Sequence, residues 1–272
     1  MSWIRSVSRM LSAAIIACLV PAIVAAQAPT SALQLTYEVE WGDVDVASAT
    51  ADWTFGEDSF ELVATSRTVG LTDAFRKYRG RTELTGRIEK GQYQPVRLSI
   101  SGVSKRRSRA AVTSWTPQNG TVATSREPEP NLEKVFPLKD EHIEGALDPF
   151  SAMLNMLDSI ARTGSCRGSG RIYDGLRTSS FMLHDLGTRI LEKDRPFAYE
   201  GNTLVCGFVG TPTGGHERKS RWRKKQPKPE DVMIFVAEVR PGLFLPVRLQ
   251  ARSFLGTVTA RLVVPSLTYR TP

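Results

Sequence analysis

The sequence predicts a mainly β protein: a single curved antiparallel sheet or half-barrel, with one helix of about 13 residues packed in its mouth. Three observations predict it. Polar and apolar residues alternate with a period of two through most of the chain. Turn residues recur between the alternating runs. One segment, opening at Asp148, switches to helical spacing instead.

The first 26 residues stand apart. Arg5 and Arg9 form a positive start, an apolar stretch runs from Met10 to Val24, and Val24-Ala25-Ala26 offers a cleavage site. This pattern reads as a secretory signal cleaved after Ala26. The apolar run falls short of the roughly 20 residues a membrane-spanning helix needs. Ile15-Ile16-Ala17-Cys18 offers an alternative, an outer-membrane lipoprotein acylated at Cys18. The apolar run continues past Cys18, which favours plain export to the periplasm.

The remaining residues, 27–272, read as a single β-rich domain. Leu33, Leu35, Tyr37, Val39 and Trp41 alternate with polar residues, and Gly42-Asp43 turns the chain. Ala47, Ala49, Ala51, Trp53 and Phe55 repeat the alternation, and Gly56-Glu57-Asp58 turns it again into 60–64. These are successive hairpins. Further strands are expected near 78–89, 92–103, 107–115, 120–126, 166–174, 177–186, 199–209, 231–239, 244–254 and 256–265. A charged, proline-rich loop is expected near 127–147, and a basic loop near 214–230.

Asp148 is a good helix N-cap, and Pro149 sits at the first helical position, where its missing N–H costs nothing. Phe150, Met153, Leu154, Leu157 and Ile160 form an apolar stripe, and Gly164 is a stop. A short echo joins Gln94-Pro95-Val96-Arg97-Leu98 to Leu245-Pro246-Val247-Arg248-Leu249. Each follows a glycine turn and is expected to open a strand, where proline is tolerated.

Composition narrows the function classes. The chain has 272 residues, 41% hydrophobic and 24% charged, with a net charge of +8. These values exclude a disordered, collagen-like or polytopic membrane chain. Removing the signal removes Arg5, Arg9 and Cys18, leaving a net charge of +6 and the even pair Cys166 and Cys206. In an oxidising compartment that pair is expected to form a disulfide; two free buried thiols are the alternative.

No nucleophile elbow, phosphate loop, dinucleotide fingerprint or zinc motif is present. No cofactor and no metal are expected. His184 and Asp185 lie near Ser179 and Ser180, but neighbours on a strand point to opposite faces and make a poor triad arm. The chain is therefore expected not to be an enzyme.

Arg218, Lys219, Arg221, Arg223, Lys224 and Lys225 cluster around Trp222. Export makes nucleic acid an unsuitable partner. An anionic membrane surface fits this cluster, and a solvated loop guarding a sheet edge fits it too. The apolar phase of the strands supplies a candidate lining for a lipophilic small molecule or a lipoprotein acyl chain: Tyr37, Val39, Trp41, Ala49, Ala51, Trp53, Phe55, Leu98, Ile100 and Leu249. The competing reading is that these side chains fill a core beneath the helix.

Four stretches together resemble a known family: Leu35–Gly42 with Ala47–Thr50, Asp148–Ala152, Cys166 with Arg171–Arg177, and Leu245–Leu249 with Gly256. The chain resembles the bacterial envelope family catalogued as domain of unknown function 3108, from about Leu35 to Leu262. The resemblance implies export and a curved antiparallel sheet, similar in shape to the lipoprotein carriers LolA and LolB. It brings no catalytic residues. The expected role is a non-enzymatic envelope binder or carrier; the alternative is an envelope interaction or scaffold protein without a small ligand. A hydrolase of polysaccharide or lipid is the least favoured reading.

Overall fold

The structure, a computed structural model, describes residues 30–105, 107–116, 122–218, 227–253 and 256–270. The first meander runs through β1 (Ser31–Trp41), β2 (Val44–Phe55), β3 (Ser59–Thr68), β4 (Tyr78–Glu89), β5 (Gln92–Ser104), β6 (Arg107–Trp115) and β7 (Val122–Glu127). The second runs through β8 (Gly168–Tyr173), β9 (Thr178–Leu191), β10 (Gly201–Gly214), β11 (Val232–Arg240), β12 (Leu243–Ser253) and β13 (Gly256–Leu262). A last short strand, β14 (Thr268–Arg270), pairs with the start of β1. Among the described residues, three α-helices accompany them: α1 (Gly70–Phe75), α2 (Asp140–Ile143) and α3 (Pro149–Thr163).

Chain neighbours pair antiparallel within each meander, and the meanders meet where β1 pairs with β13. The seam is in register from Tyr37 opposite Leu262 to Trp41 opposite Val258. The free edges of the resulting sheet are β7 and β8, and no ladder joins them. The sheet is therefore open. Side chains span the gap instead. Tyr173 of β8, wholly buried, donates to Thr124 Oγ1 of β7 at 3.0 Å. Arg126 of β7 donates to the Tyr173 hydroxyl at 2.7 Å and to the Gly175 carbonyl at 2.8 Å.

Residues 128–167 connect these two edges and carry α3 across the opening. That helix packs on β5, β12 and β8. The predicted N-cap holds: Asp148 Oδ1 accepts from Phe150 N–H at 2.8 Å and from Ser151 N–H at 3.2 Å. Gly164 ends the helix at φ 66°, a left-handed conformation that favours glycine. The helix has 15 residues, longer than predicted, because Arg162 and Thr163 complete its last turn.

Burial pushes the Asp148 carboxyl above its usual range, against the hydrogen bonds it accepts from Ser151 and Phe150. Asparagine keeps the cap without the buried charge. Asp148→Ala is expected to cost about 1–2 kcal/mol and Asp148→Asn much less; urea denaturation of both variants checks this.

The repeated Pro-Val-Arg has a physical meaning different from the predicted one. Neither proline opens its strand. In β4–β5, Thr85 faces Arg97 and Gly86 faces Pro95, so Val96 is an inserted residue. In β11–β12, Phe235 faces Arg248 and Val236 faces Pro246, so Val247 is inserted likewise. Both are β-bulges, positions where proline's missing donor is tolerated. The loop predicted near 127–147 also differs, since it holds α2 and a bridge from Val135 to Glu217.

The main core joins both meanders: Leu33, Trp53, Phe60, Leu62, Leu84 and Leu98 from the first, with Phe235, Leu245, Val247 and Leu262 from the second. Phe150, Met153 and Leu154 of α3 pack against it. The later residues of the stripe, Leu157 and Ile160, pack with Met156, Cys166, Leu183, Cys206 and Val236 in a second cluster.

Candidate functional site

A cleft opens beside α3, between that helix, the edge strand β8 and the start of β5. Its volume is about 540 Å³. Asn155 fixes its helix wall to the sheet. The side-chain amide donates to the Tyr93 carbonyl at 2.9 Å and accepts from the Tyr93 N–H at 2.9 Å. The lining beyond Asn155 is amphipathic. Leu147, Met156, Phe181 and Leu183 supply apolar surface; Gln92, Gln94, Ser159 and Ser169 supply polar groups.

Among the described residues, the charged ones lining the cleft are Arg167 and Arg171. Arg171 donates to the Glu141 carbonyl at 2.7 Å, a bond that leaves its positive charge unneutralised. The cleft therefore presents positive charge beside apolar surface. Glycines at 168 and 170 keep the β8 wall thin, and a Cβ at Gly170 would meet the Phe181 ring at 3.0 Å.

The floor is held by the disulfide between Cys166 and Cys206, with Cα atoms 5.3 Å apart. Asp185 holds the same turn. It accepts from Ser165 Oγ at 2.8 Å, Cys166 N–H at 3.3 Å and Gly187 N–H at 2.9 Å. Those bonds, led by the one from Gly187, hold its carboxyl below the usual range. Asp185 is thus a structural acceptor, and its oxygens are committed away from His184.

The family model described as a protein of unknown function, DUF3108, matches residues 36–263. The chain belongs to the DUF3108 family. No curated protein matches it. Among solved structures, it is similar to a β-barrel-like protein of the domain of unknown function DUF1849 from Brucella abortus. The identity is 11%, with 89% of this chain and 98% of that chain covered and a TM-score of 0.45.

In this DUF3108 chain the predicted lining residues fall in several places. Trp53 and Leu98 are buried core, at 3% and 1% exposure. Tyr37, Ala51, Phe55 and Ile100 pack against that core. Val39, Ala49 and Leu249 are half-buried, and Val39 and Leu249 flank Ala260 across β1, β13 and β12. Trp41 is exposed at the end of β1. Trp53 stacks on Phe55 and meets Phe150 of α3 edge-on at 6.3 Å. These rings pack beneath the first half of α3, and none of the ten residues lines the cleft.

Of the predicted basic cluster, Arg218 lies over the Phe136 ring at 5.2 Å. Lys219, Arg221, Arg223, Lys224 and Lys225 lie outside the described residues.

One pairing had no local signal in the sequence. Ser179 Oγ lies 3.0 Å from His216 Nε2, 37 residues away. The same nitrogen lies 2.9 Å from the Thr178 carbonyl. A carbonyl oxygen only accepts, so Nε2 carries the proton in that contact and is not a base for Ser179. The pair ties the end of β10 to β9. Among the described residues, no three His, Cys, Asp or Glu side chains converge as a metal site would require.

Proposed function

We propose that this DUF3108 protein is exported to the periplasm, is not an enzyme, and binds an amphipathic ligand in the cleft between α3 and β8. The observation that carries the reading is the pairing of apolar surface with the two arginines in one 540 Å³ cleft. A lipophilic tail fits Leu147, Met156, Phe181 and Leu183, and an anionic head group fits Arg167 and Arg171. The disulfide is compatible with export, where oxidation persists. The packing of Trp53 against Phe150 favours this cleft over the lining predicted from strand alternation.

Native mass spectrometry of protein purified from the periplasm tests the reading. The expected mature N-terminus is Gln27, with a lipid-sized adduct released by organic extraction. Ala152 lines the cleft, and Ala152→Trp is expected to lose the adduct while keeping the wild-type circular dichroism. Protein that carries no adduct and acquires none from added fatty acid overturns the ligand reading. An acylated Cys18 at the N-terminus instead reassigns the protein to a membrane-anchored lipoprotein.

A further inference from the structure

The helix α1 sits where no packing requires an apolar residue, yet it carries two large ones. Leu71 and Phe75 are four residues apart and so share a helix face. They are 71% and 75% exposed, and no residue of α1 is buried. Six residues make too short a helix to persist on propensity alone. Its flanks hold it instead. Asp73 accepts from Thr68 Oγ1 at 2.7 Å and from Arg79 Nη1 at 2.6 Å. The hydrogen bond from Arg79, followed by that from Thr68, holds the Asp73 carboxyl down to about 2. The β3–β4 connection is thus fixed in a shape that points Leu71 and Phe75 into solvent.

The surroundings are basic. Sheet register brings Arg67 opposite Arg79, and Arg79 opposite Val103. The Lys105 N–H donates to the Lys77 carbonyl at 3.2 Å, joining the next turn to the same end of the sheet. Arg76, Lys77, Lys105 and Arg107 are all exposed there. Val103 and Tyr78 add further exposed apolar surface, at 50% and 37%. The one carboxylate among them, Asp73, is already bridged by Arg79. Asp43, on the β1–β2 turn, and Asp45, in β2, lie at the same end of the sheet, with the Asp45 carbonyl 3.5 Å from where a Cβ at Gly70 would stand.

We infer that this end of the sheet docks onto an anionic lipid bilayer, with Leu71 and Phe75 entering the head-group region and the surrounding cations on lipid phosphates. An apolar knob inside a cationic rim combines the two forces that hold interfacial proteins on membranes. The cation excess sets the sign of the surface, and the exposed Tyr78 phenol suits the polar–apolar boundary. This surface is separate from the cleft, and the docking stands whether or not the cleft takes a ligand.

Co-sedimentation of the mature chain with vesicles tests the inference. Binding is expected to phosphatidylglycerol–phosphatidylcholine vesicles, to weaken with salt, and to be absent with phosphatidylcholine alone. Leu71→Ser with Phe75→Ser is expected to lower affinity about tenfold or more. Lys77→Gln and Lys105→Gln are each expected to lower it about fivefold. All four positions are at the surface, so melting temperatures should be unchanged. Binding that survives Leu71→Ser/Phe75→Ser but is lost on charge reversal at Arg221, Arg223, Lys224 and Lys225 overturns the assignment to this patch. Equal binding to neutral vesicles, or none to either kind, overturns it as well. A dimer that Leu71→Ser/Phe75→Ser converts to monomer assigns the patch to a second copy of the chain instead.

Discussion

Replacing Glu40 by alanine is expected to lower the folding free energy by about 3–5 kcal/mol, because it leaves two buried or half-buried guanidinium groups without their shared acceptor. Glu40 lies at the end of β1 and is 2% exposed. Arg195 binds it bidentately, Nε to Oε1 at 2.8 Å and Nη2 to Oε2 at 3.0 Å. Arg261 Nη1 meets Oε2 at 2.7 Å. Arg261 also reaches Asp194, with Nη2 2.8 Å from Oδ2. Arg248 Nη2 is 2.8 Å from Asp194 Oδ1 but lies off the hydrogen-bonding direction. Three arginines thus share two carboxylates at the seam between the meanders.

Burial alone would raise the Asp194 carboxyl; the hydrogen bond from Arg261 and the charges of Arg248 and Arg261 outweigh it and hold the group below its usual range. The stability that Asp194 contributes is therefore present above the ordinary carboxylate range. It is lost as pH falls through the depressed value. The network should loosen in acid, and Asp194→Asn should flatten that part of the pH profile. An exposed pair such as Arg162–Asp158, by contrast, contributes about 0.3–0.5 kcal/mol. A double variant, Glu40→Leu with Arg261→Met, separates charge from packing. It should recover part of the Glu40→Ala loss, since a buried ion pair replaced whole by apolar groups is often neutral. Urea denaturation of the three variants reads the difference. A Glu40→Ala loss below about 1 kcal/mol would place the network among surface pairs.

That network also marks where sequence reading stops. Strand alternation places Glu40 on the polar phase of β1, with Glu38. The register keeps it there, with Glu38 opposite Arg261 and Glu40 opposite Thr259, and the extra residue of the neighbouring bulge, Val46, is on β2. The rest of the network comes from positions 194, 195, 248 and 261, on elements that only the fold brings together. Hairpins were legible because their pairing is local: turn residues and a period of two suffice for β4 through β6. The β1–β13 seam was not, since nothing in either strand names a partner more than 200 residues away. The helix α1 was missed for a related reason. With no buried residue it has no apolar face turned to the core, and periodicity reports only such faces.

The candidate site divides the same way. Alternation identified the apolar phase of β1, β2 and β5. It could not tell whether the side chains on that phase leave a space or meet each other, and Trp53, Phe55, Phe60 and Phe150 meet. The cleft beside α3 is lined by residues from β5, α3 and β8, with two arginines that look like ordinary surface charge in the sequence. The two cysteines were legible because an even pair in a chain read as exported has few alternatives, and the pairing Cys166–Cys206 is formed.

Cys166→Ser with Cys206→Ser is expected to cost about 4 kcal/mol on the chain-entropy account, since the bond closes a loop with a sequence separation of 40. The position of that loop makes the loss local before it is global. Cys166 lies just after α3, where the chain leaves the opening of the sheet and enters the edge strand β8. Cys206 lies in the middle of β10, paired with Ile234 and Asp185. The bond therefore anchors the helix end of the edge-to-edge connection to the interior of the second meander. Without it, α3 is retained by Met156, Leu157 and Ile160, by the Asn155–Tyr93 pair and by the Asp185 bonds to Ser165 and Cys166. Those contacts hold the helix, and the turn that floors the cleft keeps only its hydrogen bonds to Asp185. Hydrogen exchange in the serine variant should rise first at 164–170 and in β8, ahead of the β1–β5 ladder. Dithiothreitol should lower the melting temperature of the wild type toward that of the variant and leave the variant unchanged. Alkylation of either cysteine in native, unreduced protein from the periplasm would refute the bond. Retention of the proposed ligand should fall with the turn, because Cys166 lines the cleft and packs with Met156 and Leu183, which line it too.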